Sequence, residues 1–246
     1  MRGLGTIINV LAVIVGSFIG IFLKGGLPKR FEKTIMSGVG LAVLLIGLTG
    51  ALPEMLVVNG DGSLSSQHVM LTVFSLVIGA VVGELINIEE KLERLGTWCK
   101  TKATFLAKDN PKFVEGFVSA SLLFCVGAMA IVGSISDGLT GDYTTLAAKS
   151  VLDGVVSVVM AASLGGGVIL SAVVVGVYQG AITLLATIIE PVLTDVLIGQ
   201  MTMVGSALIM GIGFNLLFDK KVVKVGNLLP AILVPVFCQI IISIFA

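Results

Sequence analysis

Apolar residues run along this chain in blocks of about 20, the length an α-helix needs to cross a hydrocarbon layer. Charged residues punctuate the blocks. Eight can be read: Leu4 to Leu23, Thr34 to Leu52, Val69 to Ile88, Gly116 to Ser136, Thr144 to Ala162, Val168 to Ile189, Val196 to Phe218 and Val225 to Ala246. The stretch from Gly154 to Ile189 carries no charge and is too long for one crossing, so Gly165, Gly166 and Gly167 are read as a turn between two spans. The pattern predicts an all-α, polytopic membrane helix bundle of about eight transmembrane helices. It forms a single integral membrane domain over residues 1–246, with internal repeats and a broken helix as options.

The charges between blocks give the bundle a direction. Apart from Arg2 and Lys149, every Lys and Arg falls between blocks one and two, three and four, or seven and eight. The alternate connections carry Glu54, Asp61, Asp137, Asp142, Glu190 and Asp195, and no Lys or Arg. With eight spans the basic connections share one side, which the positive-inside rule makes cytoplasmic, and both termini then lie outside. The N-terminal block is longer than a signal-peptide core and precedes no A-x-A site, so it is expected to stay as an anchor. The connector over about 88–112 begins with Ile88, Leu92, Leu95 and Cys99 at helical spacing, with charges between, and holds Trp98. It reads as an interfacial amphipathic helix.

Composition agrees with that picture and removes alternatives. The chain is 56% hydrophobic and 12% charged, with a mean hydropathy of +1.11, outside the soluble range. Its formal net charge of zero speaks against a nucleic-acid partner, which would select a basic surface. Three scattered cysteines, Cys99, Cys125 and Cys238, read as free thiols, and with one histidine, His68, they supply no metal-ligand spacing. No metal or cofactor is expected. G-x-x-x-G spacings at Gly16/Gly20, Gly79/Gly83 and Gly176/Gly180 predict close helix packing, including a homo-oligomeric contact.

A charge near the bilayer centre costs at least about 2.5–3.5 kcal/mol, which makes an intramembrane ionisable residue a functional candidate. Asp153 sits mid-block with Lys149 one turn before it, and Ser150 and Ser157 flank the same helical face. Two readings stand side by side: a self-neutralised structural pair, or a pathway site in which Asp153 binds a cation or proton and Lys149 tunes it. Tyr178 and Gln179, central in the next block, and Ser119, Ser121 and Cys125 in the small-residue block before it, complete the candidate pathway. That small-residue block also suits a helix broken near a substrate. Glu84, Glu115, Asn215 and Asn227 are secondary candidates near block ends, and Pro230 and Pro235 should kink the last block. Asn9, Gln200 and Gln239 read as interhelical hydrogen-bonding groups.

Several strings carry a family resemblance: Gly3-Leu4-Gly5-Thr6-Ile7-Ile8-Asn9, Gly116-Phe117-Val118-Ser119-Ala120-Ser121, Lys149-Ser150-Val151-Leu152-Asp153-Gly154, Tyr178-Gln179-Gly180 and Val225-Gly226-Asn227-Leu228-Leu229-Pro230. On these, the chain resembles the YqgA/YdfK-like bacterial inner-membrane proteins, a domain of unknown function, over essentially its whole length. The resemblance implies a bacterial cytoplasmic-membrane protein with a transport role, and it assigns no catalytic or ligand residue.

Eight short-looped spans leave the bilayer as the place of work, with lipid and a small ion or solute as partners. The leading expectation is a secondary transporter, with a channel as its nearest rival. No G-x-x-x-x-G-K-[ST] motif is present, so uphill transport would draw on a gradient or a separate subunit. An intramembrane enzyme could draw on Asp153, Lys149, Glu115, Ser150 or Cys125, yet no catalytic signature supports it and the chain is expected not to be an enzyme. A membrane scaffold docking through its connector is the remaining class.

Overall fold

Glycine and small side chains decide which helix faces meet. In lipid the hydrophobic effect gives helices no reason to associate, and close backbone approach supplies dispersion contact instead. The computed structural model describes residues 2–24, 29–103, 110–191 and 193–245. Lys108 and Ala246, both used in the sequence reading, lie outside the described residues.

The helices are α1 (Leu4–Lys24), α2 (Lys29–Met55), α3 (Val69–Ile86), α4 (Ile88–Lys102), α5 (Phe113–Cys125), α6 (Ala128–Leu139), α7 (Thr144–Leu164), α8 (Gly167–Leu184), α9 (Ala186–Ile189), α10 (Asp195–Phe218) and α11 (Val225–Leu228). A 3-10 segment, Leu229–Leu233, then leads into α12 (Val234–Phe245). Six of these, α1, α2, α3, α7, α8 and α10, are long and apolar enough to cross a membrane. The pair α5 and α6, bent by 61° at a short break, raises the number to seven if it is one span.

The packing of that pair decides how it should be counted. At the start of α5 the Phe113 carbonyl sits against Gly167, the first residue of α8, and Gly116 faces Leu164 and Val168. At the far end of α6, Gly138 packs on Thr183 and Ala186, at the other end of α8. The bent pair therefore runs alongside α8 from one end to the other, the geometry that would make it one broken span. The break falls at Val126 and Gly127, where Gly127 has φ +125°, a backbone conformation that other residues rarely adopt.

The expected eighth span is corrected. Pro230 and Pro235 divide residues 225–245 into α11, the 3-10 segment and α12. The longest continuous helix there has 12 residues, about 18 Å at 1.5 Å per residue, against the roughly 30 Å of a bilayer core. The count is six or seven spans, not eight. A second departure is a small antiparallel hairpin, Leu56–Val58 paired with Leu64–Ser66, in an otherwise helical chain. Its turn holds Asn59, Gly60, Asp61 and Gly62, where Gly62 has φ +81°.

The chain divides into two compact units: residues 1–39, 92–125 and 129–192, and residues 40–91, 126–128 and 193–246. In the first, α1 and α7 pack parallel: Gly5 lies against Leu146, Gly16 against the Gly154 carbonyl and Gly20 against that of Val158. The sequence places α8 antiparallel to α7 through the Gly165–Gly166 turn, as expected, with Gly165 at φ +79°. The opposite face of α1 presents Ile7, Leu11, Val15, Phe18 and Phe22, all more than half exposed. An apolar stripe of that length is a lipid-facing surface.

In the second unit, Gly79 and Gly83 of α3 pack antiparallel against Ala231 and Asn227, while Gly40, Gly47 and Gly50 let α2 lie on Leu217, Met210 and Ser206 of α10. The three G-x-x-x-G copies thus do three different things. The first supports a parallel contact and the second an antiparallel one, both inside the chain, and Gly180 of the third faces open space.

Candidate functional site

The i, i+4 spacing of Lys149 and Asp153 on α7 puts both on the face that also buries Leu146, Ser150, Ser157 and Met160. Lys149 Nζ donates to both carboxylate oxygens, at 2.8 Å to Oδ1 and 2.7 Å to Oδ2. The two side chains are only 8% and 9% exposed. Stripping water from two charges costs several kcal/mol per ion, and the pair holds only because geometry and further hydrogen bonds offset that cost.

Those further bonds come from a helix the sequence reading left outside the site. Asn9 on α1, fully buried, donates through Nδ2 to Asp153 Oδ2 at 3.0 Å and to Gln179 Oε1 on α8 at 3.3 Å. One amide therefore ties three helices together at the depth of the ion pair. The close approach at Gly5, Gly16 and Gly20 is what brings α1 near enough for so short a side chain to reach. The signal in the sequence was a single Asn in the first turns of an apolar block, which alone cannot be told from an ordinary helix-packing amide.

The amide inventory leaves two groups over. Among the described residues, Asn9 Oδ1 and Gln179 Nε2 have no hydrogen-bond partner, though both residues are fully buried. The site thus offers one acceptor and one donor beside a neutral ion pair. Such a set fits a small polar or zwitterionic solute, or water.

The structure sorts the other expected residues. Gln179 joins the pair through Asn9. Cys125, at the end of α5 where the bent span breaks, lies within electrostatic reach of Lys149 and Asp153, and Tyr178 within reach of Cys125. Ser150 and Ser157 turn their hydroxyls onto Leu146 and Asp153 carbonyls of their own helix, both at 2.6 Å, and Ser121 does the same to Phe117 at 2.7 Å. Ser150 and Ser121 therefore spend their hydrogens on the backbone and keep only an acceptor oxygen for other partners. Ser119 is half-buried on α5 and makes none of the cluster's hydrogen bonds among the described residues. Glu115 lies in the first turn of the same helix.

Two secondary candidates meet in the second unit, at the joint between α3 and α4. There Asn87 has φ +54° and turns the chain. Asn227 donates to Glu84 Oε2 at 2.6 Å and accepts from the Glu89 amide at 2.7 Å; Lys224 reaches Glu84 Oε1 at 2.8 Å. Buried Glu89 accepts from the Gly226 amide at 2.6 Å and pairs with Lys221 at 2.5 Å. These bonds pin the start of the kinked C-terminal segment to the α3–α4 corner. Asn215 holds a loop: its Oδ1 accepts from the Val222 and Val223 amides and its Nδ2 donates to the Val223 carbonyl, each at 2.8 Å.

Comparison with known proteins gives a family and no activity. The profile of a family described as "Protein of unknown function (DUF554)" matches residues 4–240. The chain is similar to "Uncharacterized membrane protein YdfK" of Bacillus subtilis (strain 168), 35% identical over 234 residues, which cover 94% of this chain and 93% of that protein. It is also similar to "Uncharacterized protein YqgA" of Escherichia coli (strain K12), 29% identical over 236 residues, with coverage of 94% and 93%. No solved structure matches.

Proposed function

The chain belongs to the DUF554 family, and from that membership and the geometry above we propose that it is a secondary transporter of a small ion or polar solute, with the Lys149–Asp153–Asn9–Gln179 cluster as its binding site. The observation that carries this reading is the pair of unpartnered buried amide atoms, Asn9 Oδ1 and Gln179 Nε2, beside a buried ion pair. A purely structural pair would be expected to close its own hydrogen bonds, because each polar group left unmet in the interior costs about 1–3 kcal/mol. Cys125, at the end of α5, lies within electrostatic reach of the pair, and a helix that stops there is the kind of element around which carriers with discontinuous helices are built. In this proposal the basic connections face the cytoplasm of a bacterial cell and the N-terminus lies outside.

The test is ligand-dependent stability. Purified full-length protein is heated in the presence of a panel of ions, amino acids and other small polar metabolites. A ligand that binds only the folded state raises the midpoint, by an amount set by its concentration over its Kd. Asp153→Asn, made less stable by a Lys149 left buried without its anion, should lose that rise in the fraction that folds. A panel hit that stabilises Asp153→Asn as strongly as the parent would remove the cluster from the transport path.

A further inference from the structure

The unpartnered atoms do not stop at the ion pair. Resting on the reading of that pair as a transport site, we infer that the seam between α1 and α8 holds a file of water through which protons reach Lys149 and Asp153 from the Asp137 end of the helices. The seam is antiparallel, with Asn9 bonded to Gln179. One turn toward the N-terminus of α1 and the C-terminus of α8, the same faces carry Thr6 and Thr183. Both are buried, at 7% and 8% exposure, and neither hydroxyl has a hydrogen-bond partner among the described residues. Thr6 Oγ1, Thr183 Oγ1, Asn9 Oδ1 and Gln179 Nε2 therefore stand in two adjacent tiers, enough polar partners for the two to four hydrogen bonds a buried water makes.

The tiers lead to Asp137, itself fully buried beneath the start of α1. Asp137 of α6 accepts from the Gly3 and Gly5 amides at the start of α1, each at 3.0 Å, and Gly138 packs on the Thr183 carbonyl. Asp137 and Gly138 thus touch both helices where Thr6 and Thr183 sit. In the other direction the seam turns apolar. Val13 and Val175 are both fully buried, and the next unpartnered atom on α1, Ser17 Oγ, is eight residues beyond Asn9. The path is one-sided.

Ser17 aside, five other buried hydroxyls in the same unit are bonded within their own helices. Ser121, Ser134, Ser150, Ser157 and Ser171 bond to carbonyls of their own helices at 2.6–2.7 Å. The titratable groups around the route are Asp137 from α6 at its far end, Lys149 and Asp153 from α7 at the ion pair, Cys125 from the end of α5 within electrostatic reach of that pair, and Tyr178 from α8 within reach of Cys125. Arg2, beside the entrance, gives its guanidinium to the Leu139 carbonyl. A proton arriving along the file would join Asp153 and release Lys149 from its ion pair, the kind of relay that intramembrane carboxylates serve.

The test needs no substrate. Full-length protein in proteoliposomes is exposed to radiolytic hydroxyl radicals, which are made from water at the site of attack. Leu146, fully buried but in contact with Gly5, should be oxidised, while Val13 and Val175, equally buried, should not. Thr6→Val with Thr183→Val should silence Leu146 and leave Leu64 of the exposed hairpin labelled as before; Thr6→Ser with Thr183→Ser should keep the Leu146 label. In the same vesicles the infrared carboxylate band that Asp153→Asn removes should follow an acid step promptly in the parent and lag in the valine variant. A parent Leu146 as inert as Val175, or an Asp153 band that ignores acid or responds alike in both proteins, overturns the file. Loss of ligand stabilisation in Asp153→Asn with a dry Leu146 would sink the file and leave the binding site standing.

Discussion

Replacing Lys149 by Met should damage the protein more than removing the whole ion pair. The single change keeps methylene bulk but leaves Asp153, 9% exposed, without its cation. Breaking a buried pair in this way costs about 3–5 kcal/mol. Asn9 still donates to the carboxylate, and a hydrogen bond to a charged group retains about 1.5–3 kcal/mol. The expected loss therefore sits near the lower bound, about 3 kcal/mol. In Lys149→Met with Asp153→Leu no charge remains, and exchanges of that kind are often neutral or stabilising. Against this, Asn9 loses one acceptor while keeping Gln179 Oε1, which costs about 1 kcal/mol, so the double variant should lie within about 1 kcal/mol of the parent. For a chain of this length each kcal/mol moves the midpoint by about 2–4 °C. Helix circular dichroism during heating, at one fixed lipid or detergent composition, should show the single variant about 6–12 °C below the parent and the double close to it. A single variant as stable as the parent, or a double less stable than the single, would refute the burial argument. The double is also the informative protein for function, since it should fold and yet lose ligand stabilisation.

The packing glycines give a graded series: Gly16→Leu should drive into the Gly154 carbonyl and Gly83→Leu into Asn227, while Gly180→Leu meets open space. Folded yield and thermal midpoint should fall sharply for the first two and little for the third; equal losses at all three would discredit the contact geometry. Asp142, on the exposed turn before α7, has its carboxyl held below the usual range by hydrogen bonds from the Thr144 hydroxyl and amide. Because the folded pKa is the lower one, its contribution to holding that turn is present above the ordinary carboxylate pKa and fades as pH falls through the folded value. Hydrogen exchange at the Thr144 amide should accelerate in that acid window beyond the intrinsic trend, and Asp142→Ala should abolish the pH dependence. Asn215→Ala frees two amides and a carbonyl of the 222–223 loop; proteolysis between Asp219 and Lys224 should become faster while the Lys149–Asp153 region keeps its exchange protection.

Span positions were legible because lipid imposes a single rule, about 20 apolar residues bounded by charge or glycine, and α7, α8 and α10 start within a residue of the expected points. The bent α5–α6 span and the Gly165 turn were legible for a related reason: small residues and glycines mark where helical backbone can stop. The last span was misread because hydropathy does not register that Pro230 and Pro235 shorten a helix without making it polar. The hairpin after α2 was missed for its size, although the Asn59-Gly60-Asp61-Gly62 turn carries its signal. At the site, Lys149 and Asp153 announce themselves because charge is scarce in such blocks, and Gln179 followed from its depth. Asn9 could not be found by depth or type, since its role depends on α1 lying parallel to α7, a pairing between segments some 140 residues apart. Ser150 and Ser121 show the opposite case. Composition shows a hydroxyl, but only coordinates show that its own helix has already taken it.

The parallel pairing of α1 with α7 also sets an order of events during synthesis. α1 enters the membrane when α7 has not yet been made, so Asn9 must wait in the bilayer with its amide unmatched, or in the keeping of another protein, until the helices from α2 to α7 have emerged. α7 arrives in a different condition, because Lys149 and Asp153 neutralise each other on one helical face before any neighbour is present. The ion pair thus eases insertion whatever its part in the proposed site, and a chain that lost only one of its charges would meet its first difficulty at the translocon, ahead of any question of transport.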